Sequence, residues 1–334
     1  MKKLSTTALM IATGMASSAQ AADFEVNSTT TLEVFGAVEL KYGTRDKIDE
    51  QGDTSSTSDL KDNGSVVGVG AEHRFASGLT AYAAAEYAYS VLGDEGDDDE
   101  SFARDESYFG LRGDFGDVRA GQYDNLFVEA IYDVIDPFEY ASLDEESSSP
   151  DDSTLAYFSP DFGGFSFEAQ TRVDGEPKSS GTNKTEDNDF AFIGVAKYTA
   201  DRWAIHASVD DRGTDVEDGN EPDPSYGLAG VANVTDRLAL TGRYATESDH
   251  DENDTDYYGV SASFDYGQGD LYAAAQEVDP DEGDSRTEFA VGANYFIEEN
   301  MSVYSEYGDF DFDKASIDEE ETDSVAEAGL IYEW

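Results

Sequence analysis

The sequence predicts an all-β fold, a transmembrane antiparallel up-and-down β-barrel of about sixteen strands, on three observations. Stretches of about ten residues alternate between apolar and small or polar side chains at period two, the periodicity of a strand with two unlike faces. The connections between them alternate between short turns and long acidic loops, as expected when turns gather at one rim and loops at the other. Aromatic residues recur at strand ends: Tyr42, Phe75, Tyr87, Tyr89, Phe115, Phe165, Trp203, Tyr244, Phe264, Tyr266, Tyr295 and Trp334. A barrel carries its interfacial girdles there. A two-sheet sandwich would also alternate, but its connections need not divide into two length classes.

The chain opens MKKLSTTALMIATGMASSAQA. Two lysines, an apolar run and an Ala19-Gln20-Ala21 cleavage site make residues 1–21 a secretory signal peptide, leaving 22–334 for the barrel. No later run approaches the ~20 apolar residues of a membrane helix. Mean hydropathy is −0.56. A barrel strand of ~9–11 residues escapes that measure because its two faces average out.

The first strand, LEVFGAVELKY, sets Leu32, Val34, Gly36, Val38, Leu40 and Tyr42 outward and Glu33, Phe35, Ala37, Glu39 and Lys41 inward. Residues 43–63 read as a polar loop. SVVGVGAEHRF and LTAYAAAEYAYSV flank a turn at Ala76-Ser77-Gly78 and read as a hairpin; DEGDDDE, 94–100, is the next loop. ESYFGLRGDF turns at Gly116-Asp117 into VRAGQY. After a long segment at 124–153 come TLAYFSP and FSFEAQTRV around a turn at 161–164. Further hairpins pair DFAFIGVAKYT with WAIHASVD, SYGLAGVANV with LALTGRYAT, YYGVSASFDY with LYAAAQEV, and RTEFAVGANYF with MSVYSEYGDF. TDSVAEAGLIYEW is the last strand. It ends on Trp334 and is expected to pair with the first, near Leu32 and Tyr42, so that closure satisfies every backbone group in lipid.

Lys and Arg total 20 against 75 Asp and Glu, a formal net charge of −55 at pH 7. Such a surface excludes nucleic acid as a partner and repels itself at low salt. At ~1 M salt the Debye length shrinks to ~3 Å, so the composition points to a salt-loving or marine source. There is no cysteine, so packing and ladder closure must hold the fold.

Over essentially its whole mature length the chain resembles the trimeric general-diffusion porins of Gram-negative outer membranes. The residues that carry the resemblance are TLEVFGAVELKYG, SYFGLRGDFGDVRAGQYDN, DSTLAYFSPDFGGFSFEAQ and the aromatic-ended terminal strand. The resemblance implies a homotrimer in the outer membrane, in contact with lipid and lipopolysaccharide, whose last strand is read by the barrel assembly machinery. It also implies a water-filled channel for ions and small hydrophilic solutes, narrowed by a third loop folded into the lumen. Residues 124–153 match that loop, with Asp136-Pro137-Phe138-Glu139-Tyr140 at the family's turn; LFVEAIYDVI before it has near-helical apolar spacing. An external loop is the other reading of this segment.

The sequence departs from the family where its hairpin reads Gly121-Gln122 in place of a common Gly-Arg. Inward parity sets Glu33, Glu39, Glu72, Glu86 and Glu106 on the wall, with Ala37, Gly70 and Tyr108 at mid-strand. Asp124, Glu129, Asp133, Asp136 and Glu139 lie on or beside the loop, so a cation-preferring lumen is expected. Arg74, Arg112, Arg172 and Arg243 are the candidate basic arc. Arg74 and Arg112 lie near turns, and Arg172 and Arg243 are expected nearer the waist; each could equally partner a surplus carboxylate. Tyr82 and Tyr108 point inward and either stack on sugars, as in a sugar-selective porin, or fill space beside the wall.

No enzyme is expected. His73, His206 and His250 lack metal spacing, and no Gly-x-Ser-x-Gly elbow occurs. No cofactor or discrete metal site is expected; 249–256 and 279–284 read as solvated external loops able to gather Ca²⁺ or Mg²⁺ diffusely. A surface β-rich divalent-cation-binding or adhesion protein is the remaining alternative.

Overall fold

The computed structural model describes residues 22–48, 53–92, 102–143, 153–172, 191–211, 223–247, 254–281, 283–310 and 321–334. The predicted signal peptide, His250 and most of the acidic loop runs lie outside the described residues.

Eighteen strand segments fill sixteen positions of one closed antiparallel sheet, because two positions are each shared by two segments. On one edge of Thr30–Ile48, Thr54–Asp62 pairs with residues 40–48 and Val66–Arg74 with residues 30–37. These two segments therefore lie end to end. On the other edge, Glu321–Glu333 pairs with residues 37–48 and Ala22–Asn27 with residues 30–34. The Trp334 N–H donates to the Gly36 carbonyl at 3.0 Å, and Gly36 N–H donates to the Trp334 carbonyl at 3.1 Å. Ala22 pairs with Val34, so the two ends of the described chain abut along one edge and jointly close the barrel.

The segment at Thr54–Asp62 corrects the expected polar loop over 43–63. Its residues are mostly exposed, and Thr44 and Ser58, directly paired, bond through their hydroxyls at 2.9 Å. A ladder with water on both faces needs no apolar alternation, so periodicity does not reveal it.

One rim carries connections of two to six residues, among them 114–115, 201–202 and 299–300. Gly116, at φ 110°, sits where a side chain would be strained. The opposite rim carries the longer connections, although 281–285 is as short as a turn. The outward face exposes Tyr42, Val69, Phe109, Ile205, Leu228, Val260, Leu271 and Val291, the apolar band that lipid requires.

The core is not between sheets but between the wall and one inward loop. Leu126, Phe127, Ala130, Ile131 and Tyr132 are almost fully buried against Ile193, Val195, Ala229, Ala245, Tyr257 and Val278. Ile135, Ala141 and Leu143 continue the contact onto Ala274, Ala290, Phe310 and Val325. The loop thus lies inside, and the external reading is overturned. The helical spacing of its apolar residues appears as a short irregular helix, π-helical at Val128–Tyr132 and then 3₁₀ at Asp133–Ile135.

Glycines on the inner wall seat aromatic rings from the paired strand: Phe35 on Gly68, Tyr82 on Gly110, Tyr272 on Gly292 and Tyr304 on Gly329. A methyl group at any of these glycines would collide with the ring. The ring covers the backbone that the glycine leaves bare.

Candidate functional site: the lumen and its constriction

The loop is fastened at both arms. At its start, Gln170 on the wall accepts the Leu126 N–H at 2.9 Å and donates to the Asp124 carbonyl at 3.3 Å. The Asn125 side chain accepts the N–H groups of Phe127 and Val128, at 2.8 and 3.2 Å, satisfying donors that a short helical turn leaves free. His206, buried on the wall, meets the Ala130 carbonyl through Nδ1 at 3.1 Å. At the returning arm, Glu306 accepts N–H groups from Glu139, Tyr140 and Ala141 at 2.9, 3.0 and 3.0 Å, and the Tyr272 hydroxyl at 2.7 Å. Asn63 donates to the Glu139 carbonyl at 3.1 Å, and Lys41 Nζ sits 2.9 Å from the Tyr140 ring centroid.

The loop covers the wall from Thr154–Phe158 round to Glu321–Glu333. The inner faces of Val66–Arg74, Thr80–Tyr89 and Gly116–Gln122, and the Glu33 end of Thr30–Ile48, bear none of its packed core and look onto the channel, while on Phe102–Gly113 Tyr108 packs against its edge.

The five loop carboxyls differ in setting. Asp124, Asp133 and Glu139 are exposed, Asp136 is half-buried and Glu129 is buried. Enclosure within the barrel is the first cause that raises each of them above the usual carboxylate range. Glu129 rises to about 8, with Asp124 adding and Lys197 opposing. Glu139 rises to about 7, with Glu306 and Glu333 adding. Asp133 rises to about 6, with Asp124 adding and Arg243 opposing. Asp136 rises to about 6, although the Phe138 N–H, which it accepts at 3.0 Å, holds it down. Asp124 is raised, with Asp105 adding and Arg119 opposing.

On the wall, Glu39 lies within electrostatic reach of Glu139, and Glu106 of Asp124 and Glu86. Glu72 is bound to Arg112 and, at 3.1 Å, to Arg74, close to the short-turn rim. Arg172 is the last residue of its strand, paired with Thr154 at the long-loop rim and not at the waist. Arg243 is buried beneath the loop, its guanidinium 4.1 Å from the Tyr132 centroid. It donates to Gln276, which donates to Glu288 at 2.9 Å; Arg286 reaches the same carboxylate at 3.0 Å. Sequence placed Arg172 and Arg243 nearer the waist because parity gives the face of a strand but neither its ends nor what covers it.

Arg119, Arg45 and Lys197 escaped the sequence reading, and Lys41, set inward by parity, is absent from the candidate basic arc. Arg119 stands across from Gly110 and is ringed by Tyr108, Phe158 and Tyr123 at 4.5, 5.0 and 5.3 Å. Lys41 reaches Glu327 at 3.9 Å, Arg45 lies 5.0 Å from the Tyr140 ring, and Lys197 pairs with Glu168 at 2.8 Å. The parity of Arg119, opposite the inward Gly110, could have found it. Glu306 gave no signal, being one acid among 75.

A closed membrane-spanning barrel with a loop folded into a charged lumen has the architecture of a channel. The chain belongs to the Gram-negative porin family, whose pattern matches residues 5–315. A monosaccharide porin of a Halomonas species is 30% identical over 358 residues, covering 95% of each chain, and the major outer membrane protein of Halomonas elongata matches to the same extent. Among solved structures, an anion-selective porin from Comamonas acidovorans shares the fold at TM-score 0.73 and 18% identity, over 91% of this chain and all of that one. Salmonella typhi OmpF, in complex with daunomycin, does so at TM-score 0.70 and 18% identity, over 94% and 100%. The protein is therefore an outer-membrane porin, of a family of channels and not of enzymes.

Proposed function

We propose that the channel passes ions and small hydrophilic solutes passively, with a preference for cations, and that it works as a homotrimer. The distribution of charge on the two sides of the lumen supports the preference. Asp124, Asp133 and Glu139 are open to the lumen on the loop, and Glu33, Glu86 and Glu106 line the facing wall. The cations near them are engaged: Arg112 by Glu72, Arg119 by three aromatic rings, and Lys41 by Glu327 and Tyr140. A lumen whose carboxylates outnumber its unengaged cations holds a negative potential that concentrates cations. The fold does not carry this preference, since it is shared with a porin described as anion-selective. The trimer is supported by membership of the family, and diffuse divalent cations at the external acidic loops by their composition.

Asp136→Asn together with Glu139→Gln tests the loop's part in the preference. The pair is expected to lower the cation preference in planar bilayers without closing the channel; no change would remove the loop from the waist. A second reading, passage of sugars, has the name of the Halomonas monosaccharide porin and the inward aromatics in its favour.

A further inference from the structure

Phe35 is the anomaly of the open wall. The interior of a barrel channel is polar, and the loop that buries other inward apolar side chains has none of its packed core over this one. Its ring lies on Gly68, directly opposite in register, so it is held against the wall with one face toward the backbone.

The other two rings of this wall are differently placed. Arg112 lies 5.1 Å from the Tyr82 centroid, and the Tyr82 hydroxyl is committed to Asp117 at 2.7 Å. Arg119 stacks at 4.5 Å on Tyr108. Among the described residues no ring or cation is stacked on Phe35, which is half-buried. The backbone beside it is overlain by side chains of its own strand, Gly68 by the Phe35 ring and Gly70 by Glu33. Gly68 and Gly70 follow each other on the inner face of Val66–Arg74, and Ala84 registers against Gly70. Carboxylates flank the ring on two sides: Glu33, which lies over Gly70, and Glu86 opposite Gly68 on the next strand.

The geometry points to a binding site for a single neutral hexose on this wall. The sugar lays its C–H face on the Phe35 ring, and Glu33 and Glu86 accept hydrogen bonds from its hydroxyls. A flat apolar ring with flanking acceptors matches a pyranose, which has an apolar face and a polar rim, and gives a bare ion nothing to stack on. The site rests on the channel and sugar-passage readings above. It replaces Tyr82 and Tyr108 with Phe35 as the stacking residue.

The test is D-glucose titrated onto the purified trimer in planar bilayers, reading the sugar-dependent drop and noise in KCl current. Wild type is expected to show saturable block. Phe35→Leu keeps an apolar side chain but loses the π face, and is expected to raise the half-saturating concentration about threefold to tenfold, the range of an aromatic contact. Phe35→Trp is expected to hold or lower it, and KCl conductance without sugar is expected to stay unchanged in both. Glu86→Gln carries the same test should Phe35→Leu fail to insert, with a rise of about threefold for a weakened acceptor. Normal ionic conductance with no glucose block, or block that Phe35→Leu and Glu86→Gln leave untouched, overturns the site and spares the channel reading. A wild-type protein that forms no conducting channel would sink that reading itself.

Discussion

Glu306 accepts the backbone N–H of Tyr140 at 3.0 Å, and with it those of Glu139 and Ala141. A single wall carboxylate thereby fixes the position of three consecutive loop residues, one of which, Glu139, projects into the lumen. Glu306→Ala removes these acceptors and that of the Tyr272 hydroxyl. Hydrogen bonds to a charged group contribute about 1.5–3 kcal/mol each and do not simply add, so the returning arm should lose about 3 kcal/mol or more of its docking. Single-channel conductance should rise and flicker. Glu306→Gln, which keeps one acceptor, should fall between, and unchanged conductance in both would show that other contacts hold the arm.

The loop carboxyls give the channel a pH dependence whose sign can be worked out. Their folded pKa values are raised, to about 8 for Glu129, 7 for Glu139 and 6 for Asp133 and Asp136, so each is neutralised at a higher pH than a free carboxylate. As pH falls from 9 to 5 the loop loses negative charge, and cation preference should weaken through that window. Stability runs the other way. A carboxyl with a raised folded pKa binds its proton more tightly in the folded state, so its contribution favours folding below that pKa and is lost as pH rises through it. Loop docking should be firmest near pH 5. Reversal potentials at pH 5, 7 and 9 check the first claim, and current noise at the same values the second.

Arg243 tests whether a lumen-facing parity means a lumen-facing charge. Since it lies beneath Tyr132 and donates to Gln276, Arg243→Ala should leave that buried amide short of a partner, at a cost of about 1–3 kcal/mol. The temperature at which the cold-detergent band converts to the unfolded band on a gel should fall, while the reversal potential hardly moves. A large shift in selectivity without a change in heat stability would place the guanidinium in the open channel.

The aromatic end of the last strand closes the barrel at Gly36. Deleting residues 332–334 removes both Trp334–Gly36 hydrogen bonds and the pairing of Tyr332 with Val38. The unpaired edge would meet lipid with bare N–H and C=O groups, so insertion should be abolished. Normal yield of heat-modifiable protein in the outer membrane would count against this role.

Much of this architecture is legible in the sequence because period two registers which face meets lipid. Tyr42, Val69, Ile205 and Leu228 all fall outward as alternation requires. Alternation fails where both faces are wet, which is why Thr54–Asp62 reads as loop, and it cannot tell a wall residue open to the channel from one beneath the loop, which is why Arg243 misleads. Ile131 and Ile135 show what the loop's near-helical spacing does encode, for they fit against Gly227 and Gly259 of the wall. The partners that hold the loop, Glu306, Gln170 and Asn63, are remote in sequence from it and of types abundant everywhere in the chain. Only the fold brings them together.

The preference for cations is most directly tested by the zero-current potential of the purified trimer across a tenfold KCl gradient at pH 8, measured at low and at high mean salt. Carboxylates on both sides of the lumen predict a clear cation-selective potential at low salt that fades toward ~1 M, where a Debye length of ~3 Å confines each charge to its own surroundings. An anion-selective potential at low salt would contradict the account.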